Sequence, residues 1–264
     1  MTTMRVYSGT RVGNLLDAAR PIITDVSRLL TPHCVRLHSH LRGQLISVDQ
    51  GPLWVDVGAC AWYLLAGDMV CIPAERLHTV HSVAKVAYTS LFFDPTWGQH
   101  LALQAFVATP GTAFRNLLVE AGQLQSEYSL ASPEFRLSLQ LIRSIAQLEQ
   151  SKLVLPLPTD RALRILAQQV IQDAHIQHSV AELAVSVGLC ARTLERRFQA
   201  QTGFTFGFWR QRLITKLALT RLRAGNAVTT IAYDMGYSSP ASFSTMFKRQ
   251  TGYSPRHYRR VLKA

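Results

Sequence analysis

The sequence predicts a multidomain α+β chain, with a small β-barrel and accessory helices in front and an all-α unit behind. Three observations carry this. Between about Val35 and Pro95, short β-branched and aromatic runs are broken by turn residues. From about Ala113 the apolar residues change to helical spacing. Charge is also unequal: residues 1–158 hold 12 Lys/Arg against 11 Asp/Glu, whereas residues 159–264 hold 16 against 5, a surplus of +11. A neutral front and a basic back point to a polyanion as the partner of the back alone.

Length and composition bound the rest. With 264 residues, 48% apolar and only 17% charged, the chain can bury a sizeable core and is not a disordered one. No apolar run approaches the ~20 residues of a membrane span, and the first twenty residues lack the apolar stretch of a secretory signal. Cys34, Cys60, Cys71 and Cys190 form no C-x-x-C pair. The expectation is a reduced cytoplasmic protein without membrane contact.

The strand candidates are QLISVD, LWVDV, AWYLL, DMVCIP and VAYTSLFF, separated by turn residues at 50–52, Gly58, 66–68 and 73–75. Several short strands at this spacing make a sandwich or barrel over residues 1–110. In residues 111–150, Phe114, Leu117, Leu118, Ala121 and Leu124 form one helical stripe, and Leu137, Leu141, Ile145 and Leu148 another. Both can pack on the β unit, and a surplus apolar face would serve a homodimer. Residues 151–160, with Pro156, Pro158 and a terminal Thr159–Asp160 cap signal, read as a linker running into a helix start. Residues 161–264 read as short helices punctuated by glycines.

That basic half contains a repeat. Ala184, Gly188, Leu194, Phe198 and Gly203 correspond to Ala232, Gly236, Phe243, Phe247 and Gly252, at an offset of 48 for the first two pairs and 49 for the others. Each copy has a small residue in a short helix, a glycine turn, a second helix with apolar residues four apart, and a Thr-Gly stop. This is a helix-turn-helix unit occurring twice. The second helix of the first unit spans about Ala191–Gln201. With Leu194 and Phe198 inward, it leaves Arg192, Thr193, Glu195, Arg196 and Arg197 at or near its outer face. Arginine can take guanine O6 and N7 together, and glutamate can accept from cytosine N4. A solvated charged face is the alternative. The second unit offers Ser239, Ala241, Ser242 and Thr245 before Lys248 and Arg249, a surface suited to backbone positioning and shape readout. A bridging helix over about 205–224 would hold the two units roughly 30 Å apart, near the ~34 Å turn of DNA. Arg210, Arg212, Lys216, Arg221 and Arg223 on it would approach phosphates.

The stretch VAELAVSVGLCARTLERRFQAQTG, with GYSSPASFSTMFKRQTGYSPRHYR after it, resembles the DNA-binding domain of AraC/XylS-family transcription regulators over about 100 residues. The resemblance implies a double-stranded promoter as partner, with contact to RNA polymerase in prospect, and activation or repression according to where the site lies. It places Arg192, Glu195 and Arg196 on the base-reading face, with Ala241, Ser242 and Thr245 on the equivalent surface. Cys190 stands where the family has a serine-type cap, so the first reading helix is expected to start with a weak cap or none.

The front half has its own cluster. In HSHLRGQLISVDQG, His38 and His40 share a face if they lie on one strand, and Gln44 keeps that parity. GDMVCIPAERLHTVHS adds His78. The spacing resembles the two motifs of cupin barrels, with Gln44 where metal-binding cupins carry Glu. Three readings stay open: a site for a divalent metal such as Zn²⁺ or Ni²⁺ on His38, His40 and His78; a metal-free pocket for a small-molecule effector; or a structural histidine network. No cofactor is required for the first function class, an effector-sensing, cupin-like transcription regulator that is not an enzyme. The other class is a cupin dioxygenase or isomerase. The basic repeated unit favours the regulator.

Overall fold

The computed structural model describes residues 5–7, 20–82, 84–97, 101, 104–124, 128–173 and 178–261. The chain divides into two compact units, Met1–Lys152 and Leu153–Ala264.

Ten strands form the first unit: β1 (Arg5–Tyr7), β2 (Ile22–Leu29), β3 (His33–His38), β4 (Gly43–Gln50), β5 (Leu53–Val57), β6 (Cys60–Leu64), β7 (Met69–Ile72), β8 (His78–Ser82), β9 (Val86–Phe93) and β10 (Phe106–Ala108). They make two five-stranded sheets, ordered β1-β3-β8-β5-β6 and β10-β7-β4-β9-β2. No ladder joins the two sheets among the described residues, so the expected barrel is a pair of separate sheets. The five strand runs read from the sequence are β4, β5, β6, β7 and β9. The additional strand β2 pairs with β9 over eight consecutive registers. Its outer half carries Asp25, Ser27 and Arg28, which blur the apolar alternation.

Helices α1 (Thr112–Ala121) and α2 (Pro133–Ala146) follow. Ser132 caps α2 by accepting from the Phe135 N–H, and Pro133 fills a first-turn position that needs no donor. Both predicted stripes pack on the second sheet. Phe114, Leu118, Ala121, Leu141 and Ile145 are buried with Ile22, Leu45, Met69, Leu91 and Phe93, while Leu117, Leu124, Leu137 and Leu148 lie partly buried against them. This covers one face of the sheet. The side chains of alternate residues on the other face, including Gln44, Ile46, Val70, Ser90 and Phe92, are buried too. Burial on both faces explains the mostly apolar run of β9, VAYTSLFF. At the start of β4, Arg42 is fully buried and pairs with Asp94 at 3.5 Å while donating to the Arg20 carbonyl at 2.9 Å.

The second unit is helical: α3 (Arg161–Asp173), α4 (Val180–Ser186), α5 (Ala191–Thr202), α6 (Phe206–Arg223), α7 (Val228–Asp234), α8 (Pro240–Thr251) and α9 (Pro255–Val261). Residues 153–158 pack within it. Leu155 and Leu157 are buried, the Pro156 carbonyl accepts from the Trp209 indole at 2.7 Å, and the Val154 carbonyl accepts from Arg212 Nε at 2.9 Å. Asp160 starts α3 by accepting from the Ala162 and Leu163 N–H groups. The long helix α6 is buried along most of its length. Ile214, Ala218, Leu219 and Leu222 face the core of the second repeat, made by Ile231, Ala232, Met235, Phe243, Met246 and Phe247. Near its start, Phe206 and Trp209 pack against Phe198 of the first, with ring centroids 5.2 and 5.4 Å away.

Candidate nucleic-acid interface and histidine site

The two helical repeats are built with the same local devices. In each turn, an N–H reaches back to the small alanine of the short helix: Leu189 to the Ala184 carbonyl at 2.9 Å, Tyr237 to the Ala232 carbonyl at 3.0 Å. Gly188 and Gly236 hold φ of 68° and 77°, a region that side chains resist. Each second helix ends on a threonine whose hydroxyl donates to the carbonyl four residues back, Thr202 to Phe198 at 2.8 Å and Thr251 to Phe247 at 2.9 Å. The left-handed Gly203 and Gly252 follow.

The two starts differ. Ser239 caps α8 by accepting from the Ser242 N–H at 3.2 Å. Cys190 makes no side-chain cap at α5, as the sequence led one to expect. Its thiol lies 3.2 Å from the Thr193 hydroxyl, and the interaction with Thr193 holds it below the usual thiol range.

On α5, Arg192, Arg196 and Arg197 are exposed and Thr193 is half-buried, while Leu194 and Phe198 are fully buried. Glu195 sits at the margin and is engaged elsewhere. Its carboxylate accepts from the Phe206 N–H at 2.6 Å and the Gly207 N–H at 3.2 Å. These are unpaired donors in the first turn of α6, where a negative charge is also favoured by the helix dipole. Glu195 thereby ties α5 to α6. On α8, Ala241, Ser242, Thr245, Lys248 and Arg249 are exposed. The Ser242 and Thr245 hydroxyls donate back to the carbonyls of Ser239 and Ala241, and Arg249 donates to Gln211 Oε1.

The bridging helix changes one expectation. Its 18 residues give roughly 27 Å at ~1.5 Å per residue. Arg212 and Lys216, read from the sequence as approaching phosphates, are buried at 6% and 5% exposure. The Arg212 guanidinium lies over the Phe204 ring, 4.4 Å from its centroid, in a cation–π contact. Arg221 pairs with Asp234, and Arg210 is half-buried with its guanidinium donating to the His178 carbonyl. Periodicity could not expose this, because α6 has protein on nearly all sides.

In the first unit, His38, His40 and His78 do converge. Ring centroids are 4.2 Å apart for His38–His78, 5.0 Å for His40–His78 and 5.8 Å for His38–His40. They meet for a reason other than shared strand parity. His38 ends β3, His40 lies in the following turn, and Gln44 lies on β4 in the other sheet. His78 on β8 stands directly opposite His38 because the register shifts between Val35 and His38. The extra residue, a bulge, turns Leu37 out to 63% exposure and re-aims His38 inward.

His40 and His78 are buried at 3% and 1% exposure, and His38 is half-buried. Each Nδ1 lies close to a backbone carbonyl two residues away: His38 to Arg36 at 2.8 Å, His40 to Arg42 at 2.5 Å, His78 to Arg76 at 2.7 Å. Gln44 lies beside them, its Oε1 3.2 Å from His40 Nε2 and its Nε2 donating to Ser90 Oγ at 3.0 Å. The Phe92 ring stands edge-on to His40 at 5.2 Å. Burial lowers the pKa of His40, and lowers that of His78 to about 4. Both imidazoles are therefore neutral near pH 7. Ser90 escaped the sequence reading: it shares the parity of Phe92, the register partner of Gln44, and only strand pairing shows this. Trp54, Trp62, Tyr63 and Tyr88 are buried. His81 contacts the Trp54 ring at 5.4 Å.

Comparison with known proteins agrees with both halves. Residues 29–173 match the AraC-like ligand binding domain family, and residues 183–261 match the helix-turn-helix domain family. Over 222 residues, 84% of this chain and 81% of the relative, the chain is 25% identical to the HTH-type transcriptional regulator NimR of Escherichia coli. It is 29% identical to the HTH-type transcriptional regulator RipA of Corynebacterium diphtheriae over 78% of this chain and 57% of the relative. Over 31% of this chain and 30% of the relative, it is 41% identical to the HTH-type transcriptional activator RhaS of Yersinia pestis. With a match that spans more than half its length, the chain belongs to the family of the AraC-like ligand-binding domain, here followed by a helix-turn-helix DNA-binding domain, and is a transcription regulator.

Proposed function

We propose that α5 and α8 are the groove-reading helices of this regulator, and that the cluster of His38, His40, Gln44 and His78 receives its effector, a small molecule or a divalent metal ion. The observation that carries the first part is the repeated unit. Two helices of equal length, 12 residues each, are set up by the same turn and stop devices in the basic part of the chain. Arg192 and Arg196, one helical turn apart on the exposed face, read base edges, and Arg197 and Thr193 flank them. Glu195 holds α5 in place and takes no base. Ser239, Ala241, Ser242 and Thr245 contact sugar, phosphate and thymine methyl groups, and Lys248 and Arg249 neutralise phosphates. Arg210 positions the first unit.

The regulator has no catalytic role and works in the cytoplasm on promoter DNA, as a homodimer, through contact with RNA polymerase. No helix among the described residues is long and apolar enough to cross a membrane.

The test is selection from random duplexes by the purified full-length chain, followed by affinity measurement on the enriched site. A defined enriched sequence is expected, with affinity falling steeply as salt rises through counterion release. Recovery of unenriched DNA would refute the reading. For the effector, a promoter fusion in cells carrying His38→Ala should lose its induced response while operator affinity in vitro is kept.

A further inference from the structure

The two helix-turn-helix units differ at one position of their otherwise matched turns. Leu189 and Tyr237 each follow the left-handed glycine, and each sends its N–H back to the alanine carbonyl of the short helix. In the first unit an apolar leucine is enough. In the second, the half-buried Tyr237 ring packs edge-on against Phe243 of α8, with centroids 5.5 Å apart, so the ring serves the packing and the hydroxyl is an addition to it. The phenol has two cations in electrostatic range, Arg210 of α6 and Arg249 of α8. Burial raises its pKa and the two guanidinium groups oppose that rise, so near pH 7 it is a protonated donor. Gln211, next to Arg210, accepts from Arg249 and from Gln250 Nε2 and holds α6 against the end of α8. Arg210 also reaches the first repeat, where it donates to the His178 carbonyl and lies in range of Glu195. The three donors thus come from three elements and meet at the seam between the repeats.

We propose that the Tyr237 hydroxyl, together with Arg210 and Arg249, seats one phosphodiester of the DNA backbone, on the stretch that crosses between the two reading helices. This rests on the reading of α5 and α8 as groove-reading helices: with those two in successive major grooves, a backbone strand passes over the seam. Two guanidinium groups drawn toward one point repel each other. The carboxylate in range of Arg210 is that of Glu195, which the Phe206 and Gly207 N–H groups already hold, so the seam keeps a surplus of positive charge. A phosphodiester supplies the missing negative charge and offers acceptor oxygens to guanidinium and phenol alike. Tyr237 carries no charge and its ring is fixed on Phe243, so its part is to orient the phosphate rather than to neutralise it. It is a positioning residue, and a phosphate contact of this kind sets register without preferring a base.

The experiment uses the full-length protein and the duplex enriched by selection, with a neutral methylphosphonate replacing one phosphate at a time between the two halves of the site. Tyr237→Phe keeps the ring on Phe243 and removes only the hydroxyl. Its melting temperature should equal that of the wild type, while its affinity should fall by about 10-fold, the loss of one hydrogen bond to a charged group, on matched and random duplexes alike. The salt dependence of Tyr237→Phe should be unchanged, whereas Arg249→Gln should lower the slope by about 1. At one methylphosphonate position the wild type should lose affinity and become equal to Tyr237→Phe, because the partner of the hydroxyl is gone. Wild-type affinity of Tyr237→Phe on the unmodified duplex would overturn the proposal. So would a deficit that persists at every methylphosphonate position, a loss confined to one base pair, or a melting temperature that falls with the affinity and so makes the hydroxyl structural. If Tyr237→Phe couples to one phosphate but Arg196→Ala leaves sequence preference intact, the seat stands and the base-reading assignment falls. If Arg196→Ala relaxes preference and no phosphate couples to Tyr237, the base reading stands and the seat falls.

Discussion

Glu195 on α5 accepts a hydrogen bond from the Phe206 N–H at 2.6 Å, in the first turn of α6. A side chain that helical periodicity would leave beside the exposed arginines of α5 instead joins that helix to α6. Thr205 also caps α6 through the Phe208 N–H, so the first turn of this helix is satisfied from two directions. Glu195→Ala should lower the stability of the DNA-binding unit by about 1–2 kcal/mol, read as a shift in denaturant midpoint from the fluorescence of the buried Trp209. It should also weaken binding to matched and random DNA alike. A loss confined to one base pair of the site would return Glu195 to direct readout.

Arg196→Ala should cost about 1–3 kcal/mol on the selected site and relax preference at one or two base pairs. Fluorescence anisotropy with the matched duplex and single-base variants of it measures this. An equal loss on random DNA would make Arg196 a phosphate contact. Arg210→Ala, by contrast, should lower affinity together with thermal stability, because Arg210 is half-buried and holds the His178 carbonyl.

Cys190→Ser should stabilise the chain by up to about 1 kcal/mol, by supplying the cap that α5 lacks. The internal control is Ser239, which already caps α8. Ser239→Ala should move the denaturation midpoint the opposite way. Unchanged midpoints for both would mean that neither start contributes to stability.

A fragment 153–264 should fold and bind DNA by itself, whereas one beginning at 159 should be markedly less stable. The difference lies in Leu155 and Leu157, buried at 1% and 3% exposure, and in the Pro156 and Val154 carbonyls held by Trp209 and Arg212. Comparing the melting of the two fragments is decisive. Equal stability would show that these residues are dispensable.

Asp94→Ala should destabilise the N-terminal unit by about 3–5 kcal/mol, because it removes a buried carboxylate that pairs with the fully buried Arg42. Replacing both together, as Arg42→Leu with Asp94→Leu, should restore much of the loss. Urea denaturation of the two variants tests the pair, and a double variant no better than the single one would locate the defect in packing.

Some of this protein is written along the chain. The repeat in residues 184–252 could be read from glycines and apolar residues at matched offsets, since a left-handed turn residue and a four-residue apolar step are local requirements. The same holds for the missing cap at Cys190, the helical stripes of Phe114–Leu124 and Leu137–Leu148, and the strands with continuous β-branched runs. Charge surplus likewise needs only counting. Other properties belong to the tertiary structure alone. That Arg212 and Lys216 are buried while Arg192 and Arg196 are exposed follows from α6 being enclosed and α5 being one-sided, and the two helices carry similar residues. That His38 faces His78 depends on a bulge in β3, and that Gln44 joins them depends on two sheets meeting beyond the His40 turn. Residue type and spacing specify a local conformation, but burial and the partner of a lone pair are set by elements distant in sequence, and only the folded chain brings those together.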